Sequence, residues 1–203
     1  GAFKRAGENI DWSGGLYTLQ TQLNMSVHPA GKTALQLQGN AHYLPSSLKQ
    51  SRIVLFGSKN EKLPEWFKSY KWEVAVRYVM TGLFGKDTGL GLTTYNSGNY
   101  GIKISSSERA AMELCYDVPI RESFDELDQI MSGLTTLRQR MVQELLEECG
   151  SVKTKRLFMY LAEKHDHAWV KKLDLGRVDF GAGKRSLCKN GHYDGKYKIV
   201  VPK

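Results

Sequence analysis

The spacing of apolar residues in this 203-residue chain changes near residue 105, and that change limits what it can fold into. Ahead of it the strongest pattern is alternation. In WEVAVRYVM, Trp72, Val74, Val76, Tyr78 and Met80 fall on one face, with Glu73 and Arg77 on the other. SRIVLF, residues 51–56, reads as a short buried strand. The glycine-rich stretch 88–99 followed by NYGIKIS reads as strand, turn and strand. Beyond residue 105 the period becomes about 3.6 residues, the repeat of an amphipathic helix.

Start and stop signals agree with this change. Ser105 with Glu108, Ser123 with Glu126, and Thr136 with Gln139 have capping-box spacing; Pro119 ends the first helix and Gly150 the third. Ser151 then caps a fourth. In the N-terminal half, Ser13 is placed to cap a helix carrying Leu16, Leu19 and Leu23. MSVHP is extended, GKTALQLQ is a short helix closed by Gly39, and Pro64 starts a single turn in LPEWFKS. After Gly176 strands return as RVDFG, KRSLC and KYKIVVP, with Asn190-Gly191 and Asp194-Gly195 as turn signals. The expected class is α+β: a mixed N-terminal half with short strands and helices, a helical middle over about 105–170, and a C-terminal β-hairpin.

Several chemistries find no support. No apolar run approaches the roughly 18 residues of a membrane-spanning helix, so no membrane partner is expected. Cys115, Cys149 and Cys188 are three in number, far apart and without a CxxC pair, which argues against a disulfide framework and for a reducing cytoplasm. GAGKRS lacks the first glycine of a phosphate loop, because Val178 stands there, and strands rather than a helix follow it; a tight basic turn between strands fits better. His165 and His167 are two apart and do not share a helix face, so no metal is assigned. Cys115 and Cys149 lie in apolar helical stripes, and the serines near carboxylates are helix caps. The chain is expected to be non-enzymatic, with no cofactor.

Charge is the informative quantity. Residues 1–100 carry 11 Lys+Arg against 6 Asp+Glu, residues 101–150 carry 5 against 10, and residues 151–203 carry 13 against 5. The basic end opens with SVKTKRLFMYLAEK, where Lys153, Lys155 and Arg156 crowd a helix start that the macrodipole already makes positive. At about 100° per residue, Lys153, Arg156, Tyr160 and Lys164 form one stripe beside a buried face of Leu157, Phe158 and Leu161. Two explanations stand: neutralisation by Glu144, Glu147 and Glu148 of the preceding helix, or an anion-binding ridge for phosphate or a partner's carboxylates.

The same residues carry a resemblance. SVKTKRLFMYLAEK, HAWVKKLDL, GAGKRS and the closing YKIVVP are similar to the C-terminal region of bacterial AbiEi-family antitoxins. SVHPAGKTALQLQGNAHYLP and SSSERAAMELCYDVP resemble the family's middle segments. The resemblance implies an antitoxin and transcriptional autoregulator of an abortive-infection (type IV) toxin–antitoxin system. Such a protein is encoded beside a nucleotidyltransferase-like toxin, which it counters, and it represses its own operon. The family places a winged helix-turn-helix before its antitoxin domain. On that comparison residues 1–8 would be the remnant of a wing and 9–203 the C-terminal domain, with a subdivision near 104. Operator DNA would then be read mainly by a missing N-terminal part, with Lys4 and Arg5 left over from phosphate contacts. The expected nucleic-acid or partner surface is Lys153, Arg156, Tyr160, Lys164, Lys184 and Arg185. The alternative is a stand-alone nucleic-acid-binding module with no toxin partner.

Overall fold

A computed structural model describes residues 11–39, 52–85 and 88–203. The class is α+β with a C-terminal hairpin. The mixed half comprises α1 (Trp12–Thr21), β1 (His28–Pro29), α2 (Gly31–Leu37), β2 (Arg52–Ser58), α3 (Glu65–Ser69), β3 (Ala75–Thr81), β4 (Leu92–Ser97) and β5 (Tyr100–Ser105). The helical middle is α4 (Ser107–Asp117), α5 (Phe124–Gly133), α6 (Gln139–Glu148) and α7 (Val152–Lys164). After two short 3₁₀ turns come β6 (Arg185–Ser186), β7 (His192–Asp194) and β8 (Ile199–Val201).

The alternation of residues 74–80 is used as expected. β3 runs parallel to β2, pairing Val76 with Ile53 and Tyr78 with Leu55, so these residues share the face packed toward Leu16, Leu19 and Phe67. The opposite face takes Val54, Phe56 and Val79. β1 joins β2 antiparallel, β4 and β5 form a separate hairpin, and β8 lies between β6 and β7.

α4 is the hub. α2, α5, α6 and α7 all pack on it, and Ala110 and Ala111 let them approach closely. A helix covered on nearly every side must also bury its polar residues, and buried charges need partners. Glu108 meets Arg138 at 2.9 Å, Arg109 meets Glu113 at 2.9 Å, and Asp117 meets Arg77 at 2.7 Å.

That burial explains where the expected caps and strands differ. Ser105 spends its hydroxyl on Glu113, 2.7 Å away, so Ser106 caps α4 instead. Asp11 caps α1, while Ser13 turns inward to the Tyr100 hydroxyl at 2.7 Å. α1 ends at Thr21, leaving Leu23 outside it and exposed. Arg138, not Thr136, occupies the cap position of α6, and its backbone N–H donates to Glu108 at 2.9 Å. Ser123 and Ser151 do cap α5 and α7. RVDFG is not a strand: its Arg177 ends a 3₁₀ turn, and the rest is loop. No helix among the described residues is long and apolar enough to cross a membrane.

Candidate nucleic-acid or partner interface

The cations at the start of α7 are turned inward. Lys153 Nζ donates to the carbonyl oxygens of Tyr116, at 2.6 Å, and Val118, and it lies 5.6 Å from the centre of the Tyr116 ring. Those carbonyls end α4, where the helix leaves acceptors unpaired and its dipole favours a cation. Burial lowers the pKa of this amine below the ordinary lysine value.

Arg156 is 1% exposed. Its Nε donates to Phe180 O at 2.8 Å, Nη2 to Gly181 O at 2.9 Å, and Nη1 to Gly183 O at 2.5 Å and Lys198 O at 3.1 Å. One guanidinium therefore holds the loop 180–183 against β8. Both residues leave the expected exposed ridge for a physical reason: the end of α4 and the loop 180–183 cover the N-terminal part of the basic face of α7, while Tyr160 and Lys164 further along it stay open.

The acidic helix is not their partner either. Glu144 pairs with Arg140 and Glu147 with Arg177, each at 2.9 Å. Lys155 is buried as well.

The loop that Arg156 holds carries Lys184 outward, while Arg185 folds back on that loop. It is no phosphate loop, because its carbonyls converge on Arg156, whereas a phosphate needs converging N–H groups. Nor does it join two strands, since a 3₁₀ turn and loop precede it. Lys184 Nζ lies 5.4 Å from the centre of the Tyr193 ring. Tyr193, on β7, is 49% exposed.

Tyr193 also borders a groove of about 680 Å³, lined further by Phe124, Tyr160, Lys164, His192 and Lys203. Asp125 and Asp128 line it as well. Lys164 is neutralised by Asp128 at 2.6 Å.

The structure thus gathers Tyr160 and Lys164 in one groove, puts Lys184 beside it and Arg185 next in the chain, and sends Lys153 and Arg156 inside. Lys4 and Arg5 lie outside the described residues. Tyr193, His192 and Lys203 went unassigned from sequence: β7 is three residues long, too short for a period to show which side chain faces out.

The histidines have separate duties. His165 Nε2 lies 2.8 Å from Asp128, whereas His167 Nε2 lies 2.7 Å from Met131 O and its ring stacks on Trp169. Among the described residues no group of three His, Cys, Asp or Glu side chains is placed to hold a metal.

Comparison with known proteins supplies the family. The family model described as "Transcriptional regulator, AbiEi antitoxin, Type IV TA system" matches residues 50–202. The model "Transcriptional regulator, AbiEi antitoxin N-terminal domain" matches residues 1–46. This second match overturns the expectation that the family's N-terminal domain is largely missing here. Among solved structures, the RV2827C protein from Mycobacterium tuberculosis is 16% identical with a TM-score of 0.63, over 95% of this chain and 68% of that one, a likeness of fold. No curated protein matches the chain. The chain belongs to the AbiEi family of antitoxins and transcriptional regulators of type IV toxin–antitoxin systems.

Proposed function

We propose that this chain is a non-enzymatic antitoxin and autoregulator. It acts in the cytoplasm on operator DNA, and it counters a nucleotidyltransferase-like toxin encoded beside it in phage defence. Its nucleic-acid contacts include Lys184, Arg185 and Tyr193, with Tyr160, Lys164 and Lys203 along the adjoining groove. Lys153 and Arg156 support that surface from within.

The observation that carries the reading is the Arg156 cradle. Four carbonyls on one buried guanidinium fix the loop that presents Lys184 beside Tyr193. Cations next to an exposed ring suit phosphates and bases together.

The test is a Lys184→Glu/Lys203→Glu variant, assayed for operator binding across a salt series and for rescue of growth from the toxin of the adjacent gene. Each lost phosphate contact should flatten the slope of log K against log salt by about 0.9. Wild-type binding and wild-type rescue by the variant would sink the assignment. A second reading, a nucleic-acid module without a toxin partner, draws on Tyr193 as a stacking surface. DNA binding with no rescue by the wild-type chain would favour it.

A further inference from the structure

A second surface lies far from this groove in the chain and owes nothing to the proposed function. β3 pairs with β2 along one edge, and among the described residues nothing pairs with its other edge. Such an edge offers a row of free N–H and C=O groups to an incoming strand.

Beside it runs a groove of about 580 Å³. It is lined by Val76, Tyr78 and Met80 of β3 and by Val74 just before the strand, and Met80 is 47% exposed. Phe67, Tyr70 and Trp72 form the wall.

The groove is pre-formed. Trp72 Nε1 donates to Phe67 O at 2.9 Å, and its ring fills the space over Gly15, where an added Cβ would come within 2.5 Å. Tyr78 Oη donates to Glu61 O at 2.5 Å. The β3 side of the groove is mainly aliphatic and lies beside an open strand edge, which suits an extended peptide better than bases and phosphates.

Its rim is positive. Lys62, Lys68 and Lys71 line it, all exposed. Lys68 is paired with its neighbour Glu65 at 2.5 Å, while Lys62 and Lys71 meet no carboxylate among the described residues.

We propose that β3 is a docking edge for an extended segment of a partner protein whose groove-facing side chains are apolar at the centre and acidic at the ends. The segment would add as a fourth strand, its apolar side chains on Val76, Tyr78 and Met80. Successive residues of a strand face opposite sides, so the carboxylates that meet Lys62 and Lys71 are those on the same face as these apolar residues. Main-chain hydrogen bonds would provide affinity, and the apolar contacts and rim charges specificity. A second copy of this chain fits less well, because it would set lysine rim against lysine rim.

The probe is a fluorescein-labelled, end-capped peptide of seven residues, with glutamate first and last, valine third and fifth and threonine between them, so that glutamate and valine share one face. It is titrated against the whole chain by fluorescence anisotropy. Saturable binding is expected. It should weaken about tenfold in Lys62→Glu/Lys71→Glu, as reversing rim charges does, and vanish when the peptide's amides are N-methylated. Both lysines are exposed, so the variant keeps the fold. Lys184→Glu should bind the peptide like wild type, which separates this result from failure of the proposed function. The proposal is overturned by absence of saturable binding, by equal binding of the same peptide with lysine in place of glutamate, or by insensitivity to N-methylation or the double variant. Displacement of the peptide by a DNA oligonucleotide would also overturn it. So would a dimer in sedimentation equilibrium that Val76→Glu dissociates.

Discussion

Arg156 Nη1 donates a hydrogen bond to the carbonyl oxygen of Lys198, 3.1 Å away, and so ties the first turns of α7 to the chain entering β8. The same side chain holds Phe180, Gly181 and Gly183. A cation at a helix start is misplaced only if it stays there. Arginine is long enough to carry its charge to carbonyls belonging to other segments.

Arg156→Met keeps much of the buried volume but leaves four carbonyls without their donor. Hydrogen bonds to charged groups are worth about 1.5–3 kcal/mol each, and they do not add fully. The expected loss is about 3 kcal/mol in urea unfolding, with faster amide exchange at residues 180–185. Unchanged exchange there would remove Arg156 from its role as the loop's support.

Glu113 is the second buried hub. Its carboxylate meets Arg109 Nε at 2.9 Å, His28 Nε2 at 3.1 Å, the Gly31 N–H at 3.1 Å and the Ser105 hydroxyl at 2.7 Å. Burial works to raise its pKa, but the His28 hydrogen bond and the Arg109 charge outweigh burial and hold it below the usual carboxylate range. Glu113→Gln leaves Arg109 buried without its counter-charge, an imbalance that costs about 3–5 kcal/mol. The unfolding midpoint should fall accordingly, and a shift equal to that of an exposed Glu→Gln change would contradict the network.

Acid should weaken the join between α4 and α6. Burial tends to raise the pKa of Glu108, yet the side-chain and backbone donors of Arg138 bring it down from 4.5 to about 2. A folded-state pKa below the unfolded one stabilises above the unfolded value, and that contribution is lost as pH falls through the window from 4.5 to about 2. Because Arg138 is largely exposed, screening reduces the contribution to about 1 kcal/mol. Unfolding free energy should decline across this window, and Arg138→Ala should shallow the decline while lowering stability at neutral pH.

The thiols should divide by burial. Burial drives the Cys115 pKa far above its ordinary value and pushes Cys149 up to about 11, whereas Cys188 is only half-buried. Since the thiolate is the reactive form, an aromatic disulfide reagent at pH 8 should titrate one thiol quickly in the native chain. The other two should react only in denaturant. Rapid reaction of all three would mean that the core around α4 opens readily.

Local chemistry left clear marks in the sequence. The period-two run through Val74, Val76 and Tyr78 became β3, and NYGIKIS became the second strand of its hairpin. Four helices follow residue 105. Caps were legible where the serine lies free at a helix start, as with Ser123 and Ser151. They were misread where another side chain claimed the hydroxyl, as Glu113 two turns into α4 claims that of Ser105 and distant Tyr100 meets that of Ser13.

The candidate interface was half legible. Tyr160, Lys164 and Lys184 reach the surface region around Tyr193, Arg185 folds back on its own loop, and Lys153 and Arg156 lie inside. A helical wheel reports which residues share a face, because that follows from backbone geometry alone. It does not report what covers that face.

The sequence by itself therefore determined, RVDFG apart, the kinds of element, their order and the basic character of the C-terminal quarter, since periodicity and composition are properties of neighbouring residues. Only the tertiary structure decided which cations meet solvent. Whether a lysine or arginine contacts water or a carbonyl depends on segments distant in the chain. For Arg156 the deciding acceptors lie 24 to 42 residues away.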